Sequence, residues 1–305
     1  MDVMQKKGAR QANGSACSGL TIGHARMEGS LVITGATGQV GRAAIDALVR
    51  RGIRPTALVR GSEQLEGCTT ITDWLVSDLA TAAIENAAMI VHLAGNLNPP
   101  DHDYERANIL PTQRIAKAVR RARIRCLVFL SYVGASEQSP NRYLETKARA
   151  ERLLRETGVP LTVFRCTHII GPPSRPGPTA ASLLARGKKS VTVLGNGKQR
   201  VAPVYLGDVV AAIEAAISSL RAGTFDLQGP EETTLDDLVR LLNEPVQVSI
   251  THVPAGIARL LRFVGPRLPG PLIDVMLNDC RSDHPTAYSE FELSLTSLDR
   301  VWSRK

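Results

Sequence analysis

The sequence predicts an α/β fold: a doubly wound parallel sheet followed by a smaller C-terminal α/β lobe. Three observations lead there. Short β-branched or apolar runs alternate with helical periodicities from Leu31 to Phe164. The first run, 31–33, passes directly into a glycine-rich turn and then a helix. Gly35, Arg60, Asp78, Ala94, Ser131 and the run 165–168 all fall at the carboxyl ends of expected strands. An open α/β sheet binds its ligands at those ends.

The first unit reads as strand (31–33), turn, helix (39–50) and strand (56–59). Val40, Ala43, Ala44, Ala47 and Leu48 share one helix face, and Arg50, Arg51 and Gly52 close the helix as a C-terminus prefers. The turn is Thr34-Gly35-Ala36-Thr37-Gly38-Gln39-Val40-Gly41, with glycines at a three-residue spacing. Glycine lets a backbone approach a pyrophosphate, and the following helix N-terminus offers free N–H groups and the positive end of a dipole. Leu93, Ala94 and Gly95 end the fourth expected strand, at 89–95, with small residues that let a cofactor pass. Arg60 stands at the end of the second strand, where an acidic residue would hold the ribose 2′-hydroxyl of NAD(H). A guanidinium suits a 2′-phosphate instead, which favours NADP(H) over NAD(H). Asp78 and Leu79 follow a third strand at 70–76. Asp78 is placed to accept from an adenine amino group or to cap a helix over 80–86. His92, inside an apolar run, reads as a packed core histidine rather than a catalytic one.

A helix at 105–123 carries the stripe Ile109, Leu110, Ile115, Ala116 and Val119, and its basic end, 120–125, reads as solvated. The fifth strand, 126–130, leads to Ser131-Tyr132-Val133-Gly134. Tyr143 and Lys147 then open a helix running to residue 157. Four residues apart, they share a face, and a nearby ammonium lowers a phenol's pKa toward the range useful for acid–base work. The sixth strand, 161–164, ends in Arg165-Cys166-Thr167-His168. Beyond it the pattern is less regular: a proline-rich loop at 172–178, strands at 191–194, 201–205, 223–227 and 246–253, a helix at 206–218, and another capped by Thr233 or Thr234 and ending at Asn243.

The totals bound the rest. The chain has 305 residues, 43% of them hydrophobic, which is enough for one large domain or two lobes sharing a core. Residues 1–29 lack apolar periodicity and the hydrophobic core of a secretory signal, and read as a disordered tail. A nucleotide-binding domain is expected over 30–171 and a substrate lobe over 172–305, interleaved with it. The charge of +8 suits an anionic cofactor, and no basic block is long enough to favour nucleic acid. Five cysteines without a C-x-x-C pair argue against a zinc site or a disulfide framework and fit a reducing cytoplasm. The six histidines show no ligand spacing, so no metal is expected. The apolar stretch 255–273 is too interrupted by arginine and proline to span a bilayer. It reads as a lid over the substrate pocket or as a segment lying on a membrane surface.

These motifs resemble the short-chain dehydrogenase/reductase superfamily, in its extended and atypical branches. The glycine turn is similar to its cofactor turn, Tyr143-x-x-x-Lys147 to its catalytic pair, and 203–210 and 223–230 to its later landmarks. The resemblance runs from Ser30 to the C-terminus. Within the superfamily it looks closest to the group containing the NADPH-binding accessory subunit of respiratory complex I and its bacterial relatives. The resemblance implies a Rossmann fold, with Tyr143 as acid/base and Lys147 on the nicotinamide ribose and tuning the phenol. It implies Asn108 as a relay residue, set against an ordinary exposed helix polar. Gly35, Thr37, Gly38, Gln39, Val40 and Gly41 would contact the dinucleotide, with Cys166 and His168 beside the nicotinamide. The family's serine falls at Val133, and Ser131 lies two residues earlier. Two functions follow: an NADP(H)-dependent oxidoreductase acting on a small-molecule carbonyl or hydroxyl, or a non-catalytic NADPH-binding accessory, assembly or redox-sensing protein. The second brings possible respiratory-complex or peripheral membrane association. The oligomeric state is not legible.

Overall fold

The computed structural model describes residues 30–119, 124–177, 184, 189–261 and 269–303, with the backbone of 20–22 and 25–27. Two three-residue strands, β1 (Leu20–Ile22) and β2 (Ala25–Met27), pair antiparallel inside the expected tail, most of which lies outside the described residues. The main sheet begins with β3 (Ser30–Thr34), followed by α1 (Gln39–Arg50), β4 (Thr56–Leu58) and β5 (Thr69–Ile71). Next come α2 (Asp78–Glu85), β6 (Ala87–His92), a π-turn at Glu105–Ile109, and α3 (Leu110–Val119). The sequence continues with β7 (Cys126–Tyr132), α4 (Arg142–Arg155), β8 (Leu161–Cys166) and β9 (Ile169–Ile170).

The chain then builds β10 (Ser190–Leu194), β11 (Arg200–Val201), β12 (Val204–Tyr205), α5 (Leu206–Ser219) and β13 (Gly223–Leu227). It ends with β14 (Thr233–Thr234), α6 (Leu235–Leu242), β15 (Ser249–Val253), α7 (Ala255–Leu261), α8 (Gly270–Leu277), α9 (Ala287–Glu290) and α10 (Leu298–Trp302).

Seven strands form one parallel sheet in the order β13-β8-β7-β6-β3-β4-β5. The chain steps outward from β3 to β4 and β5, then returns to β6 on the other side of β3. The switch point therefore lies between β3 and β6, where the glycine turn is. This is a Rossmann-like α/β fold. One face of the sheet packs on α1 and α5 through Ile45, Leu48, Val209, Ile213 and Ile217. The other packs on α2, α3 and α4 through Ile84, Ile115, Val119 and Leu154. A third cluster, with Val191, Leu238, Leu272, Met276 and Trp302, holds β10 together with α6, α8 and α10.

Several sequence expectations shift locally. The expected strand over 70–76 shortens to Thr69–Ile71. Asp73 takes a positive φ of 48°, which turns the chain and buries Trp74 against the sheet. Ser77, not Asp78, caps α2 by accepting from the Ala80 N–H, and Asp78 is an exposed first-turn residue. The face of α1 is centred on Ala44, Ile45 and Leu48, leaving Ala43 and Ala47 half-buried. The 105–123 helix opens as a π-turn, whose extra residue per turn rotates Leu110 outward to 46% exposure. Its basic end at 120–123 lies outside the described residues. Ala202 and Pro203 divide the strand expected at 201–205. Thr234 is the cap of α6, accepting from the Asp237 N–H. The strand expected at 246–253 begins at Ser249. Part of the apolar stretch 255–273 lies outside the described residues, and α7 and α8 flank it. No helix among the described residues is long and apolar enough to cross a membrane.

Trp74 is 1% exposed and packs with Ile71 and Leu75 against the core under this face of the sheet, so it anchors that edge. Trp74→Ala should cost about 3–5 kcal/mol, read as a lower denaturation midpoint at unchanged slope; a loss below the noise of the titration would show that the turn closes without it.

Candidate active site

At the switch point the backbone comes too close for side chains. Gly35 has φ +67°, and a Cβ there would lie 2.6 Å from the Leu93 carbonyl carbon and 2.7 Å from the Ala94 nitrogen. A Cβ on Gly41 would meet the Gly35 oxygen at 2.3 Å. Gly38, extended at the N-cap of α1, offers no capping side chain, so the first N–H groups of the helix are left for another acceptor. The turn borders a half-open cleft of about 190 Å³. Gln39 lines it and carries a buried Oε1 without a partner among the described residues. Unsatisfied helix N–H groups, an orphan acceptor and a cradle closed to side chains fit the diphosphate and sugar of a dinucleotide.

The expected site residues divide into two groups. The cleft collects Gly35, Gly38, Gln39, Val40 and Gly41 with Leu93 and Gly95, and also Ser131, Tyr143, Lys147, Cys166 and His168. Thr37, Arg60, Asp78 and Leu79 are exposed and lie outside that lining, and Ala94 is half-buried behind it. Ala94 donates its N–H to Thr34 Oγ1. Arg42 was not legible as a site residue. Its Nε donates to the Thr37 carbonyl at 3.0 Å and its guanidinium pairs with Glu63, bracing the turn from outside. The only sequence signal was a cation directly after the last glycine.

Tyr143 and Lys147 share a face of α4 and both line the cleft. Burial, helped by the neighbouring Cys166 and Cys280, pushes the Tyr143 phenol well above its ordinary value, the opposite direction to that expected from a nearby ammonium alone. The Lys147 ammonium has two contacts on β7. It donates to the Leu130 carbonyl and sits 4.2 Å above the centre of the Phe129 ring. Burial lowers the Lys147 pKa to about 8, against a raising influence from Glu151. Tyr143 meets Tyr132 edge-on, with ring centres 5.6 Å apart.

The serine question has a structural answer. Ser131 donates its hydroxyl to Glu151 Oε1 at 2.6 Å. Glu151, fully buried one turn beyond Lys147, also accepts from Arg165 Nε and Nη2 at 3.0 and 2.8 Å and from Arg155 Nη2 at 2.9 Å. Burial alone would raise the Glu151 pKa; the bonds from Arg165 and Ser131 outweigh it and hold the carboxyl below its ordinary value. Val133, at the position of the family's serine, is buried in the cluster shared with α6 and α8. Glu151 was missed, although Tyr143, Lys147, Glu151 and Arg155 form one series at spacing four.

His92 is fully buried. It accepts or donates between Thr34 Oγ1 at 2.6 Å and Thr112 Oγ1 at 3.0 Å, and burial drives its pKa to about 3. Thr112 passes its own proton to the Asn108 carbonyl at 2.7 Å. His92 Nε2 is therefore the donor and Nδ1 the acceptor. Asn108, on the π-turn, is buried rather than exposed. Its Oδ1 accepts from the Asn96 N–H at 2.8 Å and its Nδ2 reaches Thr146 Oγ1 at 3.3 Å, tying the loop after β6 to α4.

A model of the NAD dependent epimerase/dehydratase family matches residues 31–226, well over half of the sequence. The chain belongs to that family. Among curated members, it is 26% identical over 262 residues to NADH dehydrogenase [ubiquinone] 1 alpha subcomplex subunit 9, mitochondrial, of Arabidopsis thaliana. That match takes in 79% of this chain but only 65% of the relative's length. It is 26% identical over 257 residues to the ceramide reductase of Caulobacter vibrioides, covering 81% of this chain and 78% of that one. The fold also matches UDP-glucuronic acid 4-epimerase from Bacillus cereus, solved with UDP-glucuronic acid and NAD. There the TM-score is 0.71 at 18% identity, over 90% of this chain and 96% of the other. Epimerase/dehydratase relatives thus include both a reductase and a respiratory-enzyme subunit.

Glu151 couples this cleft to pH. Its folded pKa is lowered, so its contribution to stability is present above the ordinary value of 4.5 and is lost as pH falls through the folded pKa. Glu151→Gln should destabilise the protein by about 3–5 kcal/mol at neutral pH, by leaving Arg165 poorly paired. The gap to wild type should narrow below pH 4.5 in denaturation curves. A gap independent of pH would show that the carboxylate charge is not what matters.

Proposed function

We propose that this chain is an NADP(H)-dependent oxidoreductase that moves a proton at Tyr143 to or from a carbonyl or hydroxyl substrate. The observation that carries the reading is the shared cleft. The glycine turn and the Tyr143–Lys147 pair line one opening. The family match and the relative named as a ceramide reductase support reductase chemistry in this scaffold.

In this reading the glycine turn and the N-terminus of α1 hold the diphosphate, and Leu93 to Gly95 form the floor beneath the sugar. A bound nicotinamide supplies or accepts hydride at the substrate's carbonyl carbon. Burial keeps the Tyr143 phenol protonated at neutral pH, which is the form a proton donor to a carbonyl oxygen requires. Lys147, held by the Leu130 carbonyl and the Phe129 face, presents its remaining N–H groups toward the cleft, where ribose hydroxyls would accept them. Cys166 and His168 form the wall beside the reacting ring. Arg60, exposed just beyond β4, is the cation for the expected 2′-phosphate. Asp78 and Leu79 flank the adenine end.

The second reading is a non-catalytic NADPH-binding accessory, assembly or redox-sensing protein, in a respiratory complex or at a membrane surface. The commitment of Ser131 to Glu151 and the apolar Val133 favour it, as does the likeness to the Arabidopsis subunit.

Tyr143→Phe should abolish NADPH-dependent carbonyl reduction while leaving NADPH affinity within about threefold, measured by turnover and by calorimetry; unchanged turnover would remove the catalytic assignment. Arg60→Asp should weaken NADPH binding at least tenfold more than NADH binding, since a charge-assisted bond to phosphate becomes a repulsion; equal losses would remove the 2′-phosphate reading.

A further inference from the structure

Carbonyl reduction needs a second donor on the substrate oxygen, and neither expected group is free to serve. The Ser131 hydroxyl is spent on Glu151 at 2.6 Å, and Val133 has no polar atom. We infer that His168 fills that role, donating from Nε2 to the substrate carbonyl. The inference rests on the oxidoreductase reading above.

His168 follows β8, is 4% exposed, and lines the same cleft as Tyr143. Tyr132 stands between the two, 5.6 Å from Tyr143 and 6.1 Å from His168 between ring centres. Tyr132 Oη lies 3.0 Å from Cys280 Sγ and 3.0 Å from His168 Nδ1. Burial holds the Tyr132 phenol protonated. In the inferred arrangement the thiol donates to Tyr132 Oη and the phenol donates on to Nδ1, which leaves the ring proton on Nε2.

Nε2 takes no partner among the described residues. The backbone carbonyl of His168 accepts from the Val204 N–H at 2.9 Å, so the residue is fixed at both ends. Burial lowers the imidazole pKa to about 4, which keeps the ring neutral through the physiological range. A neutral N–H held in place in this cleft is a competent carbonyl polariser, and its own proton stays on the ring throughout. Tyr143 gives up the proton that ends on the substrate oxygen. Tyr132 and Cys280 act through His168 and are positioning residues.

Two measurements on the full chain test this. NMR of isotope-labelled imidazole nitrogens, with His168 assigned from the signals lost in His168→Phe, should show a neutral Nε2–H ring at neutral pH. That resonance should shift when phenanthrenequinone is added with NADPH. Tyr132→Phe should release the tautomer into a mixture. An Nδ1–H ring, an imidazolium at neutral pH, or a resonance the quinone leaves in place overturns the inference, whether or not the quinone is reduced. In the second measurement, His168→Phe should lower kcat for the quinone by about 10²–10³ without changing NADPH affinity, and His168→Gln, which keeps an N–H donor, should recover part of it. Retained kcat in His168→Phe alongside loss in Tyr143→Phe overturns the role of His168 alone. Retained kcat in both variants overturns the roles of Tyr143 and His168 together, whereas failure of the unmodified chain to reduce the quinone counts against the oxidoreductase reading itself.

Discussion

The crossing of the first turn over the end of β6 is the constraint from which the rest follows. Gly35 and the Leu93–Ala94 backbone are packed so closely that no side chain fits between them, and Gly41 seats α1 on the same turn. The contact brings a helix N-terminus to the sheet's switch point with its N–H groups unspent. Anything anionic that binds there meets donors fixed before it arrives, at no cost in reorganisation. Steric exclusion, not charge, is the primary device; Arg42 only steadies the loop from behind.

A second layer surrounds α4. Ser131 on β7 and Arg165 on β8 are clamped by one carboxylate, Glu151, that has no exposure to solvent. Buried charge is tolerated because every oxygen of it is bonded. The same clamp withdraws the serine hydroxyl from the cleft. Neighbouring strands are thus locked in register by a group that also decides which side chains remain for chemistry.

The sequence made the sheet and the cleft floor legible because both depend on short-range rules. Runs such as Leu31–Ile33 and Met89–Val91 leave little choice but a buried strand, and the glycine spacing marks the turn between strand and helix. The pair Tyr143 and Lys147 was visible for the same reason, as helix spacing is local. What escaped were relations across the fold. Burial sets the direction of the Tyr143 shift, and the Lys147 ammonium is held by Leu130 and Phe129 on β7, neither of which helix spacing reveals. Glu151 reads as a surface helix carboxylate until Arg165 and Ser131 are brought to it. Leu110 looked like part of a core stripe because a π-turn changes the helical phase without an obvious mark in composition. Tyr132, His168 and Cys280 meet from three distant places in the chain.

The return of the chain to the main sheet has a mechanical consequence. After β10 to β12 have been laid down away from it, α5 packs on the sheet beside α1, and β13 becomes its edge strand against β8. The two walls of the cleft are consequently stitched by several crossings of the polypeptide, not joined by one flexible strap. Such a body has no single axis about which to swing open. Guests must enter through the side that stands ajar, and heat or denaturant should dismantle both walls together.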